Sequence, residues 1–263
     1  MGYETLSLDV EDGVATITLN RPEAANSLNQ AMARELMDAA IECGGNRDVR
    51  AVVLTGSGSF FCAGGDLKSF QAVGRDNISA HILQTTTYLH AAVSRFARMD
   101  APLIGAINGI AAGAGASLVL MCDMAIGADS LMFTLAYTAS GLAPDGGSTY
   151  FLPRVVGLRR AAELMITNRR LSAEECLDWG ILNKVVPADR VVAEAHELAG
   201  QLARGPTSAY GRVKSMLAVS FDNGLETQME VESQHIAATA ASTDGQEGIN
   251  AFIAKRKPVF QGR

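Results

Sequence analysis

Residues 101–123 read APLIGAINGIAAGAGASLVLMCD. Leu103 to Ile107 is short and apolar, the pattern of a buried strand. Asn108-Gly109 breaks it, and Gly113, Ala114 and Gly115 lead into an apolar helix expected from about Ala116 to Met121. A small-residue turn feeding a helix leaves backbone N–H groups without partners, with no bulky side chain in front of them. Such a turn can hold a negatively charged oxygen. Two other readings compete. No charged side chain interrupts Ala101 to Cys122, so a bilayer span is one. The central Asn108-Gly109 and the density of glycines favour strand–turn–helix. In the other, the glycines serve close packing alone. A G-x-G-x-x-G dinucleotide fingerprint is absent.

The 263 residues suffice to hide roughly 70–75% of the unfolded surface. With 48% hydrophobic residues, the composition is that of an ordered globular protein. Cys43, Cys62, Cys122 and Cys176 are dispersed, with no C-x-x-C pair; this argues against zinc and suits a reducing compartment. The start of the sequence shows no basic-plus-apolar leader, so the expected location is cytoplasmic. A net charge of −6 disfavours nucleic acid, so an anionic ligand needs local basic groups.

Working outward, Asp12-Gly13 joins two strand-like runs, Glu4 to Glu11 and Val14 to Asn20, and reads as a hairpin. In the second run Ala15, Ile17 and Leu19 alternate with Val14, Thr16 and Thr18. Asn29 is placed to cap a helix reaching about Cys43. Ala51 to Thr55 is a continuous apolar strand, followed by a second small-residue turn at Gly64-Gly65. Two such turns could bring two N–H donors to one point. Lys68 lies just beyond, either a phosphate partner or a solvated surface lysine. Asn77 to Arg98 reads as a long amphipathic helix with His90 beside its apolar stripe. Met124 to Gly127 and Leu131 to Thr134 are short strands. Asp145 is the one carboxylate between Asp129 and Glu163, set among Leu142, Ala143, Pro144 and glycines. It reads either as a partly desolvated proton-transfer group or as a turn or N-cap residue. Ser172 and Glu175 form a capping-box pattern, and Ile181 to Val186 is a last strand. From residue 189 onward helical patterns dominate, so residues 1–188 are expected as a strand-bearing core and 189–263 as a helical region.

Several spaced motifs together resemble the enoyl-CoA hydratase/isomerase (crotonase) superfamily. They are Leu19-Asn20-Arg21-Pro22 with Asn26-Ser27-Leu28, Phe61 to Lys68, Asn108 to Gly115, Cys122-Asp123, Leu171 to Glu175 with Trp179-Gly180, and Phe252 to Arg256. The resemblance implies an α/β fold, a spiral of ββα units, with residues 189–263 as a trimerisation region giving a homotrimer or hexamer. It implies an acyl-CoA substrate, coenzyme A being part of the substrate and no separate cofactor or metal being needed. No nucleic-acid or membrane partner is expected. Gly65 and Ala114 fall at the two oxyanion-hole positions. Ala25, Ala63, Asp66, Leu67, Lys68, Tyr137 and Leu142 fall at expected substrate contacts.

One departure is informative. The two glutamates of the hydratases are matched here by Ser117 and Tyr137, whose hydroxyls stay protonated near neutrality. Asp145 matches the single acid of the family's isomerases, and the local motifs are similar to the ring-1,2-epoxyphenylacetyl-CoA isomerase type. The expectation is a double-bond shift through a thioester enolate, with Asp145 moving the proton. The alternatives are a hydratase, a dehalogenase of the 4-chlorobenzoyl-CoA type, which also places an aspartate at Asp145 and a histidine at His90, and a noncatalytic acyl-CoA- or RNA-binding relative. The last lacks the lysine-rich helix that RNA binding would want. Phe70 to Leu83 is expected to shape the acyl pocket.

Overall fold

The computed structural model describes residues 2–263. Strands β1 (Leu6–Glu11) and β2 (Val14–Leu19) form the hairpin, antiparallel, with Leu6 opposite Leu19. Helix α1 (Gln30–Gly45) begins at Asn29, whose side chain accepts the Met32 N–H at 2.9 Å. Next come β3 (Ala51–Gly56), β4 (Phe60–Cys62), α2 (Leu67–Ala72) and α3 (Ile78–Arg98). The stretch quoted first folds as β5 (Leu103–Ile107), β6 (Ile110–Ala112) and α4 (Ala114–Leu120). Strands β7 (Met124–Ala128) and β8 (Met132–Thr134) precede α5 (Ser148–Val156) and α6 (Leu158–Thr167). The chain continues through β9 (Leu171–Ser172), α7 (Ala173–Asp178), β10 (Lys184–Val186) and α8 (Val191–Ala203). It ends in α9 (Thr207–Val219), α10 (Leu225–Ala240) and α11 (Thr243–Ile253).

The strand pairs β3/β4, β5/β6 and β7/β8 repeat one plan. The first member of each joins a six-stranded sheet of order β1-β2-β3-β5-β7-β10; the second joins a four-stranded sheet of order β4-β6-β8-β9. β2, β3, β5, β7 and β10 pair parallel in succession, as do β4, β6 and β8. Helices follow each pair, giving the expected spiral of ββα units. Side-chain amides stitch its turns. Asn26 is fully buried and donates to the Ser57 and Phe60 carbonyls, both at 2.8 Å. Asn108 donates to the Gly58 carbonyl at 2.9 Å and accepts the Gly56 N–H at 3.2 Å.

The large sheet is buried on both faces. Ala15, Ile17, Leu19, Val52, Leu54, Leu103 and Ile107 face the main core with α1 and α3. Val14, Ala51, Val53, Ile104 and Ala106 face a second core. Helix α8 covers that second face with Val191, Ala195, Ala199 and Ala203, one residue per turn. The strands therefore end near residue 188, but α8 still completes the core. Beyond it, α9 is fastened by Lys214, which donates to Asp123 Oδ2 at 2.7 Å and to the Phe96 and Ala101 carbonyls. The segment from α9 to α11 leaves Leu217, Phe221, Leu225, Met229, Ile236, Phe252 and Ile253 exposed.

The differences from the sequence expectation are local. Helix α4 starts at Ala114 rather than Ala116, because Ile110–Ala112 is a strand of the small sheet that pairs with β4 and β8. The last strand is only Lys184–Val186; the N–H groups of Ile181 and Leu182 go instead to the Cys176 carbonyl. The capping box of Ser172 and Glu175 forms with both of its hydrogen bonds.

Edge strand β1 is held by one buried carboxylate. Glu35 accepts the Glu4 N–H at 2.9 Å and the Thr5 N–H and hydroxyl at 2.8 and 2.6 Å. Burial pushes its pKa up, but the Thr5 hydroxyl and the backbone N–H groups outweigh this and hold it below the ordinary value. A lowered native pKa adds stability that is present above the unfolded value and is lost as pH falls through the native one. Glu35→Gln is expected to cost about 1–3 kcal/mol at pH 7, the scale of hydrogen bonds to a charged group. Urea unfolding should show the gap to wild type narrowing as the pH is lowered below about 4.

Candidate active site

The site forms where the two glycine-bearing turns meet. Gly64 (φ +104°) and Gly113 (φ +51°) adopt backbone states that a side chain would disfavour. A Cβ on Gly64 would stand 2.9 Å from the Ala112 carbonyl oxygen and 3.4 Å from Gly113 Cα. One on Gly115 would stand 2.1 Å from the Cys62 carbonyl oxygen. The turns thus lie backbone against backbone. The residues just after the two strained glycines, Gly65 and Ala114, border one cleft of about 320 Å³. Among the described residues neither of their N–H groups has an acceptor on the chain. Burial pushes the neighbouring Cys62 thiol up to about 11, so near neutrality it is a thiol and no nucleophile.

The cleft is mostly apolar. Leu28, Leu67, Phe70, Ile82, Leu89 and Leu142 line it, with Thr85 and Thr86. The two threonine hydroxyls donate back to the His81 and Ile82 carbonyls of their own helix, so they offer little to a ligand. Asp145 is the one carboxylate in the lining among the described residues. It is half-buried, and it does not cap α5. Its Oδ1 instead accepts the Tyr137 hydroxyl at 2.6 Å. Tyr137 also meets Ser117 Oγ at 2.8 Å, and Ser117 in turn lies 3.0 Å from the Asp145 carbonyl oxygen. Burial, then the charge of Asp145 and its hydrogen bond, push the Tyr137 phenol well above its usual range. Tyr137 is therefore a donor and no base. The next peptide is held as well: Gly146 N–H donates to His90 Nε2 at 3.2 Å, which places the His90 ring proton on Nδ1.

Of the residues singled out in the sequence, Ala63, Gly65, Leu67, Ala114, Tyr137, Leu142 and Asp145 share this cleft. Ala25, Asp66 and Lys68 lie outside its lining. The Ala25 carbonyl accepts the Ala63 N–H at 3.0 Å, next to the rim. Asp66 is spent on Arg21, at 3.0 Å, and on capping α2 through the Ser69 N–H at 3.1 Å. Lys68 is exposed on α2. Sequence reasoning noted Ser117 as a departure and His90 as an open question. It could not see that both brace Asp145, because their partners lie 28 and 56 residues away.

A family model described as enoyl-CoA hydratase/isomerase matches residues 9–263. The chain belongs to the enoyl-CoA hydratase/isomerase family. The 1,2-epoxyphenylacetyl-CoA isomerase of Escherichia coli is 38% identical over 254 residues, covering 97% of each chain. A 4-chlorobenzoyl coenzyme A dehalogenase of an Arthrobacter species is 35% identical over 250 residues, covering 95% of this chain and 91% of that one. The crystal structure of an enoyl-CoA hydratase from Polaromonas superposes with a TM-score of 0.92 at 34% identity, over 97% of this chain and 99% of that one. The family therefore includes relatives named for isomerisation, dehalogenation and hydration. No helix among the described residues is long and apolar enough to cross a membrane.

Because the turns touch through main chain, added volume there has nowhere to go. Gly115→Ala is expected to cost about 3 kcal/mol through overpacking against Cys62. For a chain of this size that lowers the melting temperature by roughly 6–12 °C, read by calorimetry.

Proposed function

We propose that the protein is an enoyl-CoA isomerase. The thioester carbonyl of an acyl-CoA sits on the Gly65 and Ala114 N–H groups, each worth about 3 kcal/mol as the enolate develops. Asp145 takes a proton from one carbon of the acyl chain and returns it to another. One group suffices, since removal and return use the same carboxylate in turn. No metal or redox cofactor is needed for this chemistry. Coenzyme A enters as part of the substrate. The observation that carries the reading is the solitary carboxylate of the cleft, with one oxygen capped by a protonated phenol. Water addition by the two-carboxylate route would need a second such group, and Ser117 and Tyr137 cannot supply it.

Dehalogenation is the second reading, favoured by the likeness to a 4-chlorobenzoyl coenzyme A dehalogenase. Against it, His90 Nε2 is engaged by Gly146 N–H, and Asp145 Oδ1 by Tyr137. The exposed apolar side chains of α9–α11 support assembly with further copies of the chain, as a homotrimer or hexamer.

The deciding experiment is a panel of acyl-CoA esters, linear 3-enoyl, crotonyl and 4-chlorobenzoyl, scored separately for isomerised, hydrated and dehalogenated product. A 3-enoyl ester should give the conjugated 2-enoyl isomer. Asp145→Ala should lower that rate by about a thousandfold while leaving acyl-CoA binding in place. Halide release from the aryl ester as the dominant reaction would overturn the isomerase reading.

A further inference from the structure

The Tyr137 hydroxyl occupies a point defined by three oxygens. It lies 2.6 Å from Asp145 Oδ1, 2.8 Å from Ser117 Oγ and 3.5 Å from the Asp145 carbonyl oxygen. Ser117 is wholly buried. Tyr137 itself lines the cleft. The phenol gives its single proton to the charged Oδ1, and Ser117 keeps its own proton for the Tyr137 oxygen or the Asp145 carbonyl. Without the phenol oxygen, the same point would have two oxygens within strong hydrogen-bond reach and a third nearby. That is the partner set a buried water needs. A carboxylate oxygen left unpaired there would draw one in, because an unsatisfied charged acceptor is costly.

We infer that Tyr137 decides between isomerisation and hydration, holding with its own hydroxyl the place from which Asp145 would otherwise activate water. This rests on the proton-transfer reading above. Tyr137 acts through Asp145 and is a positioning residue in that sense. It fixes Oδ1 and keeps water from it, leaving Oδ2 to move the proton. The competing reaction is balanced without any further reagent. Asp145 would accept a proton from the water as its oxygen bonds to C3 of a 2-enoyl thioester. The C2=C3 electron pair would pass into the thioester enolate, and Asp145 would return the proton to C2, giving the 3-hydroxyacyl ester.

The test supplies trans-3-hexenoyl-CoA and crotonyl-CoA to wild type, Tyr137→Phe, Ser117→Ala and the double variant. Isomerised and 3-hydroxyacyl products are quantified by chromatography with mass detection, and melting temperatures are recorded alongside. In Tyr137→Phe the ratio of hydrated to isomerised product should rise about tenfold or more, on the scale of a positioned general base. Ser117→Ala keeps the phenol on Asp145, so its ratio should stay within about twofold of wild type. The double variant removes a second partner of the vacated point, and the ratio should fall back from that of Tyr137→Phe. Slower isomerisation with an unchanged ratio in Tyr137→Phe would make the phenol merely structural and overturn the inference. So would a raised ratio in Ser117→Ala alone. A wild type that isomerises neither trans-3-hexenoyl-CoA nor any other 3-enoyl-CoA would instead overturn the underlying isomerase reading, and this inference with it.

Discussion

The molecule is organised around a contact between two pieces of main chain. The segment Cys62–Gly65 leaves the small sheet and presses on the segment Ala112–Gly115, with carbonyl oxygens where side chains would otherwise be. Backbone meets backbone only if the residues between carry no Cβ, and hydrogen bonding to water is lost on both sides. The surrounding structure has to over-determine such a contact. Parallel pairing of β4 with β6 and of β3 with β5 fixes the two segments from behind, and the buried Asn26 and half-buried Asn108 tie their turns together. The spiral repeat brings successive strand–turn units side by side, so equivalent turns become neighbours although some 50 residues separate Gly64 from Gly113.

Much of this was legible in the sequence, and the reasons differ by element. AVVLT at 51–55 and the alternation of Ala15, Ile17 and Leu19 with Thr16 and Thr18 are long enough for periodicity to speak, and both lie as read. The caps at Asn29 and Ser172 are local hydrogen bonds encoded within four residues, and both form. Strands β4, β6 and β9 have two or three residues, too few for any period, and exist because their neighbours in the small sheet are already there. Helix α2 is not announced by periodicity: it has six residues, and its start is set by the Asp66 cap.

The site shows the same division. Glycine-rich turns after apolar strands announce themselves, so Gly65 and Ala114 could be singled out as a pair before their convergence on one cleft was known. Asp145 stood out by its isolation among apolar neighbours. The hydroxyl chain from Ser117 through Tyr137 to Asp145 was closed to sequence reading, since serine and tyrosine are common and nothing local pairs them. Only the fold places a residue of α4, one of the loop after β8 and one of the loop before α5 around a single point.

The grip of Glu35 on the first residues of the chain has a meaning beyond the stability of one strand. β1 is an outer margin of the six-stranded sheet, with a row of main-chain groups that no further strand of the described residues pairs with on its free side. While Glu35 seats it, that margin stays packed on α1 and carries Asp9 and Glu11 outward. Unseated, it would uncover β2, an apolar strand with its pairing groups ready. Damage at this corner would then appear as association between molecules, with turbidity or high-mass species forming while the interior is still folded.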